Sequence, residues 1–154
     1  MKTHLKKRTI LFCIGGIAYN LIEMLWRGRS HWSMFIAGGT CFHIIGGLGK
    51  RLKKKGIPLM SGACAVAVTG VEYIIGCIVN LWWKLNVWDY SQMVGNVHGQ
   101  VCLLYSVLWG AMSIPVVALY ERLDGWLGQL SANGQSAQRG ERASQISLPN
   151  STSR

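Results

Sequence analysis

Glu72 is the residue with the most chemistry to explain. It stands inside the apolar run Val68 to Trp83, VTGVEYIIGCIVNLWW, with no Lys or Arg within a helical turn on either side. A charged side chain at the centre of a membrane helix costs about 3 kcal/mol on insertion scales, so it is expected to face protein or water. Two readings stay open. Glu72 is either a proton or cation site, or a protonated acid that donates to a backbone carbonyl or to Asn20, His43 or Asn80. Helical spacing places polar and small residues of each apolar run on one stripe: Gly16, Asn20, Glu23 and Arg27; Gly39, His43, Gly47 and Lys50; Thr69, Glu72, Gly76 and Asn80; and, more weakly, Ser106, Gly110 and Ser113. The candidate intramembrane polar site is therefore Glu72, Glu23, Asn80, Asn20 and His43. Within it, Glu23 has Arg27 four residues on, which suits a local ion pair. His43 is a lone imidazole on a glycine-rich face and reads as a hydrogen-bonding packing residue.

Between the last two apolar runs lies Trp88-Asp89-Tyr90-Ser91, ending in Asn96-Val97-His98-Gly99. Asp89 and Asn96 can cap local backbone and Gly99 permits close contact, so a shaped turn is expected, with Trp88, Asp89, Tyr90, Asn96 and Gly99 as an interfacial motif. Anchoring at the membrane surface is the simpler role for it. No pairing of nucleophile with base is visible, and no metal ligand set. The five cysteines sit singly inside apolar stretches, without a C-x-x-C pair. A nucleotide-binding loop is excluded as well: Gly49-Lys50 is present, but Ile44 stands at the first glycine position and Arg51 at the hydroxyl position. No enzymatic activity, cofactor or metal is expected.

Such residues need helices in lipid to hold them. Charged residues make up 14% of the chain, against roughly 25% in soluble domains. Trp (seven) and Gly (nineteen) are abundant for 154 residues, which suits close-packed membrane helices with interfacial anchors. The net charge of +10 lies mainly in blocks between apolar runs, which argues against a nucleic-acid face. The expected architecture is all-α: a polytopic four-transmembrane-helix bundle over residues 1–126, with spans at about 9–26, 32–49, 57–83 and 97–120. A signal peptide cleaved near Ala18 is the alternative for the first run, but that run stays apolar for two more turns. The second span is glycine-rich and makes sense only packed against other helices. Residues 127–154 read as a disordered cytoplasmic tail. Lys and Arg number four in the leader, two at Arg27 and Arg29, five in Lys50 to Lys55 and one at Lys84. That alternation places both termini and the basic loop in the cytoplasm of a plasma-membrane protein. Trp26, Trp32, Trp82, Trp83 and Trp88 then form one outer belt. A faint parallel two-plus-two repeat lays Leu21–Trp26 on Ile78–Trp83 and Gly39–Phe42 on Gly99–Cys102.

With these residues in view, the chain resembles the integral membrane family called putative ABC-transporter type IV, or CmpB-type. The resemblance rests on Glu72-Tyr73, on WDYS at Trp88 to Ser91, on Asn96 and Gly99, on Cys102 and Trp109-Gly110, and on Leu21-Ile22-Glu23 with Arg27. It covers about residues 12–120 and departs at Asn80, where a carboxylate is expected. It implies a permease-like part in transport and names no substrate. The function expected is thus that of a small membrane subunit without its own ATPase, working as a homo-oligomer or beside another membrane subunit, with a separate ATPase chain where one is used. The alternative is a holin-like protein that permeabilises or organises the bilayer and has no substrate.

Overall fold

The computed structural model describes residues 2–147, and these build four helices. Helix α1 spans Lys2–Arg27 and stops at Gly28, whose φ of +69° is the left-handed end that glycine adopts without strain. Its N–H closes the last turn on the Met24 carbonyl at 2.9 Å. Helix α2, Trp32–Leu52, starts at an extended His31 whose Nδ1 accepts from the Ser33 N–H. A 3-10 turn of three lysines, Lys53–Lys55, leads to Gly56 (φ +119°) and helix α3, Ile57–Gly76, with Pro58 in the first turn where a missing N–H costs nothing. The backbone then widens into a π-helical turn, Cys77–Trp82. After a connector of irregular chain, α4 runs Leu103–Ser147.

Three of these helices are long and apolar enough to cross a membrane, over His4–Arg27, Ile57–Trp82 and Leu103–Gly134. Helix α2 falls short in apolarity and not in length, since 21 residues at about 1.5 Å each reach the roughly 30 Å of a hydrocarbon core. Its place explains its composition. Met34, Ala37, Gly38, Cys41, Phe42, Ile45, Gly46 and Gly49 are buried against the other helices, so much of its surface never meets lipid. A Cβ on Gly38 would lie 2.3 Å from that of Tyr19, and one on Gly46 would lie 2.4 Å from the Tyr120 ring. Bare backbone is what lets α1 and α4 approach. Leu25 and Val66 are 89% and 76% exposed, as lipid-facing side chains would be.

Three differences from the sequence reading have local causes. The fourth helix begins at Leu103, six residues after the expected Val97, because residues 97–101 close a tight turn. There the Val97 N–H meets the Val101 carbonyl at 3.0 Å, and His98 and Gly99 take positive φ. Helix α4 continues through the stretch read as a disordered tail as far as Ser147, with Ser131 and Ser136 hydroxyls bonded back to carbonyls one turn earlier; residues 148–154 lie outside the described residues. The repeat is not confirmed: Leu21–Trp26 is α-helical whereas Ile78–Trp82 is π-helical, and Gly39–Phe42 is mid-helix whereas Gly99–Cys102 is turn.

At the basic-loop end, charges clasp the helices. Lys7 of α1 and Lys50 of α2 both meet Asp124 of α4, at 2.7 and 2.6 Å, and Lys53 meets Glu121 at 2.6 Å. The opposite end holds the connector and the candidate site.

Candidate intramembrane polar site

Glu72 projects from α3 toward α1, 7% exposed. Gly38 of α2 leaves room for Tyr19 of α1, whose hydroxyl donates to Glu72 Oε1 at 2.9 Å. The Tyr19 ring stacks on Trp109 of α4, with centroids 5.5 Å apart. Trp109 Nε1 is buried without a hydrogen-bond partner among the described residues. Glu72 thus meets the Tyr19 hydroxyl, and among the described residues no salt bridge reaches it.

One turn nearer the connector, Glu23 pairs with Arg27 at 3.4 Å, and its other oxygen accepts from the Ser30 hydroxyl at 3.1 Å. Arg27 also reaches the connector. Its Nη2 donates to the Tyr90 hydroxyl at 3.1 Å, and its guanidinium lies 5.6 Å from the Tyr90 ring centroid. Burial pushes the Tyr90 hydroxyl above its usual range, and the nearby guanidinium offsets this only partly. Tyr90 therefore stays neutral, with its ring stacked on Tyr105 at 4.8 Å. A cavity with about 10 Å³ open to a water molecule lies between Tyr19, Glu23, Met34, Glu72, Trp88 and Tyr90. That is room for one water at most. Glu23 and Arg27 also line a wider cleft of about 160 Å³, open at the connector end beside Arg29, His31 and Asn86. Glu23 is the wall shared by cavity and cleft.

The connector owes its shape to Asn80. From the π-helical turn its Oδ1 accepts from Val87 N–H at 2.6 Å, while Nδ2 donates to the Trp88 carbonyl at 3.0 Å and to Gln100 Oε1 at 2.8 Å. Trp88 Nε1 in turn donates to the Gln100 carbonyl at 2.8 Å. Asp89 Oδ1 accepts from Ser91 N–H, and Asn96 bonds Ser91, Met93 and Gly99. At Gly99 (φ +68°) a Cβ would stand 2.8 Å from Asp89 Oδ1. These bonds hold Tyr90 and Trp88 over the carboxylates.

The five site residues expected from sequence do not all meet. Glu72 and Glu23 border one cavity. Asn20 bonds Ser30 at the α1–α2 turn, and Asn80 is absorbed by the connector. His43 lies toward the basic-loop end, its Nε2 2.9 Å from the Arg8 carbonyl and its Nδ1 3.4 Å from the Tyr120 hydroxyl. None of these three is hydrogen-bonded to Glu72, because each finds a nearer partner along its own helix level. Trp88 is 6% exposed and part of a packed cluster with Met34 and Val79, so it leaves the outer belt; Trp26, Trp32, Trp82 and Trp83 are exposed, as belt residues would be. The residue the sequence reading passed over is Tyr19. Its signal was there, a hydroxyl four residues before Glu23 inside an apolar run. Among the described residues no three His, Cys, Asp or Glu side chains converge as a metal site would require.

A family profile with the description Putative ABC-transporter type IV matches residues 10–136, most of the chain. The protein belongs to that family. No curated protein and no solved structure gives a significant match. Membership in this family and the three long apolar helices together fit a membrane protein associated with transport.

Proposed function

We propose that the protein is a permease-like membrane subunit in which Glu72 is the ionic group of a transport path, binding a proton or cation that arrives through the cleft at the connector end. The observation that carries this reading is the buried Glu72 carboxylate facing a cavity that shares Glu23 with an open cleft. A carboxylate kept in apolar surroundings without a contacting cation is costly, and such residues inside membranes commonly mark ion and proton pathways. In this reading α2 is a fourth span, shielded by its neighbours. The basic loop Lys50 to Lys55 and both termini face the cytoplasm of the plasma membrane, as the Lys and Arg distribution favours. The chain performs no catalysis of its own, works as a homo-oligomer or with another membrane subunit, and takes any ATP-driven step from a separate chain.

The test is proton flux into liposomes loaded with a pH-sensitive dye, comparing wild type with Glu72→Gln. Flux that disappears in Glu72→Gln supports the reading. A leak of equal size in both proteins overturns it and points to the bilayer-permeabilising alternative.

A further inference from the structure

The open cleft at the connector end is lined by more positive than negative charge. Arg27, Arg29 and Glu23 are the charged side chains of its wall, which leaves one positive charge over. Arg27 is engaged by Glu23 and by the Tyr90 hydroxyl. Arg29 is exposed and makes no hydrogen bond or ion pair among the described residues. His31 adds a donor to the same wall. Its Nδ1 accepts the Ser33 N–H at 3.3 Å, so in the neutral ring the hydrogen sits on Nε2, which has no partner among the described residues. The space enclosed, about 160 Å³, is about ten times what a single water needs. A surplus positive charge, two donors without partners and room for several heavy atoms suit an anion of single charge.

The position of the cleft points to the source of that anion. Two of the long apolar helices end beside it, at Arg27 and at Trp82, so it lies where hydrocarbon gives way to headgroups. Exposed tryptophans flank both chain segments that form it, Trp26 and Trp32 on one side and Trp82 and Trp83 on the other. The Trp32 and Trp83 rings, 6.0 Å apart, join the two walls. Exposed indoles favour the headgroup zone. Leu85, exposed in the same wall, sets apolar surface beside the charges. The oxyanion present at that depth is the phosphodiester of a phospholipid, which carries the one negative charge that the wall lacks, and its two free oxygens match an arginine fork. A free phosphate monoester carries about −1.5 to −2 at neutral pH, and the excess would be opposed by Glu23.

We propose that the cleft between the α1–α2 turn and residues 85–87 binds the singly charged phosphodiester of a phospholipid headgroup, held by Arg29 and His31. The site does not depend on the role of Glu72, and filling it removes the positive excess that would oppose a cation on its way inward. The test is titration of the full chain in detergent with phosphatidylglycerol, with bound lipid counted by native mass spectrometry. Wild type is expected to take up one phosphatidylglycerol saturably and to bind net-neutral phosphatidylcholine several-fold more weakly. Arg29→Gln should weaken phosphatidylglycerol binding about tenfold, the loss of one charge-assisted bond, and Arg29→Lys, which keeps the charge, should stay within about threefold of wild type. Lys54→Gln removes an equal charge from the exposed basic loop and should leave this binding unchanged. Each variant is first required to elute as a single species. Absence of a saturable site in wild type, equal binding by Arg29→Gln, or the same loss in Lys54→Gln overturns the proposal. Displacement of the lipid by its deacylated headgroup or by inorganic phosphate at equal concentration overturns the lipid as the source and assigns the cleft to a soluble phosphate. Proton flux that ignores Glu72 defeats the transport reading and leaves this site standing.

Discussion

Replacing Asn80 with Asp alters one nitrogen to oxygen and nothing in size, so its effect isolates the hydrogen bonds that shape the connector. The carboxylate can still accept from Val87 N–H. Both donor bonds vanish, leaving the Trp88 carbonyl and Gln100 Oε1 facing an acceptor at 3.0 and 2.8 Å. Each buried acceptor stranded in this way costs about 1–3 kcal/mol, for a sum of roughly 2–6. Rotating the Gln100 amide would offer Nε2 to the new carboxylate, at the expense of its 2.9 Å bond to the His98 carbonyl, and recover about 1 kcal/mol of that. A central figure is about 3 kcal/mol. If the connector opens as a unit, its open population rises about 100-fold. Lys84 supplies the assay, because trypsin must draw the chain around it into an extended strand, and Leu85 is tied to the Val79 carbonyl at 2.9 Å. Cleavage after Lys84 in detergent, at protease levels where reclosing is faster than cutting, should accelerate by about that factor. Cleavage at the wild-type rate would refute the claim that Asn80 organises the connector.

Further outcomes follow from the same packing. Gly38→Val drives a side chain into Tyr19 and the Gly15 carbonyl and should lower stability by about 1–3 kcal/mol in detergent melting, whereas Gly62→Ala, with open space around it, should not lower it. Tyr19→Phe removes the hydroxyl from Glu72, and a double-mutant cycle with Glu72→Gln should give a coupling of about 1–2 kcal/mol, against zero if the two side chains act independently. Glu121→Gln should cost less than about 1 kcal/mol, because its bond to Lys53 is partly open to solvent; a larger loss would mean that the clasp at the basic-loop end is worth more than its exposure suggests.

Apolar runs and their breaks made the helices legible. Gly28 and Gly56 break the chain between helices with positive φ, and Pro58 stands in the first turn of α3. The start of α4 was harder to place, since Val97 and Val101 are apolar yet belong to a turn; period alone does not separate a short apolar turn from the first turn of a helix. Glu72 stood out because it breaks an apolar run, and Glu23 with Arg27 because four residues separate them. What lines Glu72 was not readable. Tyr19 reaches it only through the approach of α1 to α2 at Gly38, and Asn20, His43 and Asn80, equally well spaced for it, are drawn off by Ser30, Tyr120 and the connector. Helical spacing states which residues share a face, and tertiary contact decides which of them meet.

A Glu72 carboxyl secluded within the membrane lies out of reach of reagents that stay in water. Carbodiimide labelling of intact proteoliposomes, mapped by mass spectrometry, reads that seclusion. Glu72 should be modified by a lipid-soluble carbodiimide and spared by a water-soluble one that modifies Glu121 and Asp124 once the vesicles are opened. Modification of Glu72 by the water-soluble reagent as fast as those two would contradict the account.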